Sequence, residues 1–205
     1  MPITKLEVLL VFMFFMYLIY TEDTANLSKT EVSQFYVVIY NRIPTKEESE
    51  YWQNYSLLVL GGDRRPKIAA VMLQSAGARK NFGNALGAGD RAVIEHIYLK
   101  LFDQTYADDP GGINYWVNRI EKQGNTLEIV IADIINIILL TDGDIKTAFN
   151  HRVEVADYAA DQLDQRSFDL DLLTFDKQGL VVTKERSSVI AAKKKILLIK
   201  QQRLR

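Results

Sequence analysis

Asp103, Asp108 and Asp109, followed closely by Gly111-Gly112, form the polar cluster with the best claim to chemistry, because close carboxylates on a glycine-bearing loop are how proteins hold calcium. Calcium needs roughly six to eight oxygens, usually from carboxylates at alternating positions closed by a bidentate Glu. This loop lacks that register. Asp109 before Pro110 reads better as a helix cap and the glycines as loop geometry, so calcium is kept as the one candidate metal and no ligand set is assigned. Asp142-Gly143-Asp144 reads as a turn and cap. His96 and His151 are far apart, and neither has a second histidine one helical turn away, so each is expected to be a packed or surface residue. Gly83-Asn84-Ala85-Leu86-Gly87-Ala88-Gly89 matches a phosphate loop only in glycine content, since no Lys-Ser or Lys-Thr follows. It is expected to be a hinge. Trp52 and Trp116 could stack on sugars or bases, yet each sits beside a helical apolar stripe, which favours core packing. No catalytic, cofactor-binding or metal residue follows, and an enzyme is not expected.

The elements that must position these residues form an internal repeat. Val32, Phe35, Tyr36, Ile39 and Tyr40 have the i, i+3, i+4, i+7, i+8 spacing of a helix face, and Ile94, Ile97, Tyr98, Leu101 and Phe102 repeat it 62 positions on. Tyr51-Trp52 is answered by Tyr115-Trp116 at an offset of 64, so the second connection is two residues longer. A third stripe, Ile68, Val71, Met72, Ser75 and Ala76, returns at an offset of 63 as Ile131, Ile134, Ile135, Ile138 and Leu139. Three matched elements in one order predict a duplicated three-helix unit.

Local punctuation places the helices. Ser28-x-x-Glu31 and Thr45-x-x-Glu48 are capping boxes. Asp63 or Arg65 starts the third helix, with Pro66 tolerated in its first turn. In the second copy Asp90 caps the first helix, Asp109-Pro110 starts the second and Asn125-x-x-Glu128 the third. Asp144 to Gln165 reads as a long helix bearing Ala148, Phe149, Val153, Ala156 and Tyr158, and Ser188 to Leu204 as a last, basic one. Between them, Ser167 to Lys184 holds a short strand or a loop pinned by its apolar residues. The expected fold is all-α: two tandem three-helix repeats in one helical domain, plus additional C-terminal helices. The expected divisions are a hydrophobic segment over 1–27, the repeat domain over 28–165 (copies about 28–84 and 90–141, then the long helix), and a C-terminal extension over 166–205.

The 205 residues, 48% of them hydrophobic, suffice for a core. Net charge is −1, unevenly spread: residues 184–205 hold eight Lys or Arg against one Glu, a local +7, which leaves −8 on the rest. An acidic body argues against a nucleic-acid face, which needs clustered cations. The absence of cysteine excludes disulfides, thiolate catalysis and sulfur-ligated zinc. Lys193-Lys194-Lys195 interrupts Val189, Ile190, Ala192, Ile196, Leu197 and Ile199, a pattern that suits either an anionic membrane surface or a helix docked on the acidic body. Val8 to Tyr20 is an apolar run of 13 residues, short of the roughly 20 that span a bilayer. Signal, anchor, packed helix and an upstream start all remain open for it, since Glu7 and the flank after Tyr20 fit a cleaved signal poorly.

These residues carry a family resemblance. Glu31-Val-Ser-Gln-Phe-Tyr-Val-Val-Ile-Tyr-Asn-Arg42 with Tyr51-Trp52-Gln53 resembles the motif of the domain of unknown function 4214 family. The second copy, Ile94-Glu-His-Ile-Tyr-Leu99, Tyr106-Ala-Asp-Asp-Pro110 and Ile113-Asn-Tyr-Trp-Val-Asn118, is closer still, and Arg152-Val-Glu-Val-Ala-Asp-Tyr158 resembles a segment that follows the domain. The resemblance covers about residues 28–160. That family is similar to the helical phycobilisome linker domain and to the amino-terminal region of surface-layer proteins, and it stands at the start of repeat-in-toxin adhesins. The resemblance implies a non-enzymatic surface-attachment or assembly module of a Gram-negative bacterium, secreted or on the cell surface, that contacts lipopolysaccharide or an envelope protein. It implies no catalytic residue. The alternative is a membrane-anchored scaffold using residues 8–20 and the basic tail. The chain departs from the pattern in its hydrophobic amino terminus and in lacking glycine-aspartate calcium repeats.

Overall fold

The computed structural model describes residues 26–164, 173–176 and 179–203. The apolar run over 8–20 lies outside the described residues, as does much of the segment between the last two helices. Among the described residues the chain is all-helical: ten α-helices, one π-helical turn and a single antiparallel bridge between Arg42 and Thr174.

Helix α1, Lys29–Phe35, starts at the Ser28 capping box, in which the hydroxyl accepts from the Glu31 amide and the carboxylate accepts from the Ser28 amide at 2.8 Å. It runs into a π turn, Tyr36–Tyr40. Every side chain of that turn is buried, so the turn is apolar all round and lies inside the molecule. Encasement on all sides explains why Val37 and Val38, outside the expected stripe, are also in the core. Left-handed Asn41 (φ 48°) ends it, and the Arg42 amide donates to the Tyr36 carbonyl at 3.4 Å. Helix α2, Lys46–Leu58, starts at the Thr45 capping box. Helix α3, Arg64–Leu73, is capped by Asp63, whose side chain accepts from the Arg65 amide.

The hinge expected over Gly83–Gly89 contains a helical turn, and the stretch from Gly77 to Gly89 as a whole is mostly helical. It forms helices α4, Ala76–Phe82, and α5, Ala85–Ala88. The third stripe therefore breaks at Gln74, and Ser75 becomes the cap of α4, accepting from Ala78. Gly77 is a packing glycine: a Cβ there would stand 3.2 Å from the Tyr40 ring.

Helix α6, Asp90–Phe102, is capped by Gly89 (φ 104°), and Asp90 is its first residue instead of its cap. Left-handed Asp103 (φ 55°) ends it, with the Gln104 amide donating to the Tyr98 carbonyl. Helix α7, Pro110–Glu121, is capped by Asp109. Helix α8, Leu127–Leu140, starts at Thr126 instead of Asn125, because the Asn125 side chain turns back to the Arg119 carbonyl at 3.2 Å. Helix α9, Asp144–Gln162, ends three residues before the expected limit, since extended Leu163 accepts the Lys46 amide at 2.9 Å. Helix α10, Arg186–Arg203, begins two residues early.

Packing gathers these helices around α1 and α9. Helix α9 touches α1, the π turn, α2, α8 and α10, while α3 lies on α8 and α6 on α7. One apolar cluster runs from Leu27 to Ile199, each fully buried Val, Leu or Ile contributing about 1.5–3 kcal/mol. Leu173, Phe175, Leu180 and Val182 of the described C-terminal residues belong to it, held by Ile43 N to Leu173 O (3.0 Å) and Phe175 N to Asn41 O (2.8 Å). Val189, Ala192, Ile196 and Ile199 face the body along α10. Its cations follow: Arg186 and Lys193 pair with Glu154, Lys193 lies 5.0 Å from the Tyr158 ring, and Lys200 donates to Gln162.

Candidate functional site

The π turn shapes the neighbourhood with the densest chemistry. Its wide pitch brings the Tyr36 and Tyr40 rings edge to face at 4.8 Å, and left-handed Asn41 then sends Arg42 back across both. The guanidinium carbon lies 5.0 Å from the Tyr36 ring centre and 5.4 Å from that of Tyr40. Such turns concentrate at functional sites.

Arg42 meets Glu48 as a fork, Nη1 to Oε2 at 2.8 Å and Nη2 to Oε1 at 2.6 Å. Glu48 also accepts the Thr45 amide at 2.9 Å, so one carboxylate both closes the capping box of α2 and neutralises a buried cation. Burial would drive the Arg42 pKa down; the Glu48 hydrogen bonds and charge reverse this and leave it raised. Burial first, then the Glu48 charge, holds the Tyr36 hydroxyl well above its ordinary range. The Tyr40 hydroxyl is likewise raised, chiefly by burial.

These groups wall a cleft of about 530 Å³ between the π turn, α2 and the start of α4. Tyr51 stands at its edge 56% exposed, against the Trp52 indole and stacked on Tyr55. Ser75 donates to the Tyr40 hydroxyl at 3.0 Å on the opposite side. Glu47 lines the cleft with a buried Oε2 that no donor among the described residues reaches. Fixed polar groups among aromatic walls are the composition of small-molecule sites.

The residues singled out in the sequence fall elsewhere or into other roles. Trp52 and Trp116 are 7% and 5% exposed, each donating from its indole nitrogen to a buried tyrosine. Asp108 accepts from the amide and hydroxyl of Thr105, which hold its carboxyl below the usual range, and Asp109 accepts from Gly112 at 2.8 Å. Asp103 ends α6. Among the described residues no three His, Asp or Glu side chains converge on a metal-sized space. Asp142 pairs with Lys146 and Asp144 with Lys184 across Gly143, whose φ of 126° only glycine holds comfortably. His96 shares a hydrogen bond with Asn81 at 3.3 Å and has its pKa lowered by burial, then by Lys100. His151 donates from Nδ1 to the Thr183 carbonyl at 2.8 Å.

Sequence reasoning passed over Arg42, Glu47 and Glu48 as a site. Glu48 was accounted for as a cap, and Arg42 stood only as the last letter of a motif. The readable signal is an arginine two positions past an apolar run, six residues before a capping glutamate.

The residues at the matching sequence offsets of 62 and 64 differ from those of this cleft. Gln104 stands where Arg42 would, and Gly111-Gly112 where Glu47-Glu48 would. Comparison with protein-family models, curated proteins and solved structures finds no match to the chain.

Proposed function

We propose that this protein is a non-enzymatic attachment module of a bacterial envelope, built on two tandem three-helix repeats of the domain of unknown function 4214 type, whose aromatic cleft takes a saccharide of a surface glycolipid such as lipopolysaccharide. The cleft at Tyr51 carries the reading. An exposed phenol offers a stacking face to a sugar ring, the unpartnered Glu47 oxygen accepts a sugar hydroxyl, and Arg42 and Glu48 are already locked, so little is lost on binding. Duplication is supported by the Tyr36–Trp52 and Tyr98–Trp116 hydrogen bonds and by matching closures, Arg42 to Tyr36 and Gln104 to Tyr98. Glycan binding belongs to the first copy alone, where the carboxylates are.

The test is calorimetric titration of lipopolysaccharide-derived oligosaccharide from the producing cell. Binding should be saturable and fall about tenfold or more in Tyr51→Ala, a change at an exposed residue. Equal binding by both proteins removes the cleft from the account.

One observation favours a second reading, a scaffold held at an anionic membrane. The outward side of α10 carries exposed Ile190, Lys194, Leu197 and Leu198. Among the described residues no helix is long and apolar enough to cross a membrane, so contact would be superficial or would use residues 8–20. Co-sedimentation with phosphatidylglycerol vesicles that is lost in Lys194→Glu supports it; no co-sedimentation rejects it.

A further inference from the structure

A second cleft, separate in composition from the aromatic one, lies between the end of α6, helix α9 and residues 175–176 and 180–183, with a volume of about 490 Å³. Its floor is Arg152. Among the described residues the two acceptors of this guanidinium are both backbone carbonyls, Lys100 O at 2.8 Å from Nη1 and Val182 O at 3.5 Å from Nε. Among the described residues no carboxylate lies within ion-pair distance of it, and its Nη2 group has no protein acceptor. The contrast with Arg42, which is forked on Glu48, is sharp. Burial lowers the Arg152 pKa, and the charge of Asp103 offsets this only in part. A half-buried guanidinium held by carbonyls among the described residues gains charge-assisted hydrogen bonds from an anion brought to it.

The remaining walls decide which anion. Leu99, Phe175, Leu180 and Val181 make one side apolar, and Leu99 and Val181 are themselves exposed to solvent. Asp103 lines the same cleft and its charge already acts on Arg152, so a second negative charge on a ligand would meet repulsion. Phosphate and dicarboxylates are disfavoured on that ground. A single carboxylate on a short apolar chain satisfies both halves of the site.

We infer that this cleft binds a small amphiphilic monocarboxylate, its carboxylate on Arg152 and its chain along Leu99, Phe175 and Val181. The site stands independently of the glycan cleft.

Titration of the full chain with octanoate tests it, with octan-1-ol and octanedioate as controls. Octanoate should bind one to one, and both controls should bind at least about tenfold more weakly. Arg152→Gln should weaken octanoate by a similar factor. Because Arg152 also ties two carbonyls, Val181→Asp is the safer variant: Val181 is 55% exposed, so the thermal melt should be unchanged while octanoate is repelled. Failure of octanoate to saturate the wild-type protein overturns the inference, as does Val181→Asp binding it like wild type. Tighter binding of an acetylated tripeptide ending in leucine would overturn the small-molecule assignment in favour of a peptide terminus.

Discussion

The Trp52 indole donates to the Tyr36 hydroxyl across 3.2 Å inside the core, joining the π turn to α2 at the back of the aromatic cleft. A ring pair of this kind contributes apolar area and also satisfies two polar atoms that burial would otherwise penalise.

Truncating Trp52 to Ala should therefore cost about 3–5 kcal/mol in urea unfolding, whereas Trp52→Phe and Tyr36→Phe each remove mainly the hydrogen bond. In a double-mutant cycle the two conservative changes should couple by about 1 kcal/mol. Strict additivity would mean that the bond contributes nothing.

Arg42 and Glu48 behave differently, because here charge is buried. Removing either partner alone leaves an uncompensated ion, so Arg42→Ala or Glu48→Ala should cost about 3–5 kcal/mol, and Arg42→Lys should fail to restore the fork. Equilibrium unfolding of the singles and the double measures this. The double variant should be less destabilised than the sum of the singles.

Glu154 sets a pH window. Hydrogen bonds from Arg186 and then Lys193 hold its carboxyl at about 2, against an ordinary 4.5. A depressed acid contributes stability that is fully present above the ordinary value and is lost as pH falls from about 4.5 through 2. Its side chain is 34% exposed, so screening limits the contribution to about 0.5–1 kcal/mol. Glu154→Gln should be less stable than wild type at pH 6, and the difference should vanish near pH 2 and shrink in high salt.

Adjacent glycines of α7 should diverge. A Cβ on Gly112 would run into the Asp109 carboxylate that caps the helix and stand 2.7 Å from the Tyr98 hydroxyl, so Gly112→Ala should destabilise by about 1–3 kcal/mol. At Gly111 the nearest atom is 3.7 Å away, and Ala there should be neutral or gain about 0.5 kcal/mol. Thermal melts of the two variants check the pair.

Much of the helical outline was legible because its determinants are local. Ser28, Thr45, Asp63 and Asp109 are caps whose bonds close within three residues, so spacing alone reveals them. Where a competing contact won, the reading slipped. Asn125 spends its side chain on Arg119, so Thr126 takes the cap position. Gly77 sits inside a helix, and residue 77 is glycine because the Tyr40 ring needs the space, which glycine count cannot reveal.

By itself the sequence determined an all-helical chain, the apolar stripes that bury Tyr36, Trp52, Tyr98 and Trp116, and a basic last helix beside an acidic body. These follow from periodicity and short-range hydrogen bonding, which operate over a few residues. Only the tertiary structure decided that α1 widens into a π turn, that Arg42 folds back onto two tyrosines and finds Glu48, and that Arg152 finds only carbonyls among the described residues. Those outcomes depend on which surfaces enclose a segment from all sides, and enclosure is set by residues distant in sequence: Leu163 and Leu173 docking on the loop around Thr45, and α9 packing against both ends of the fold.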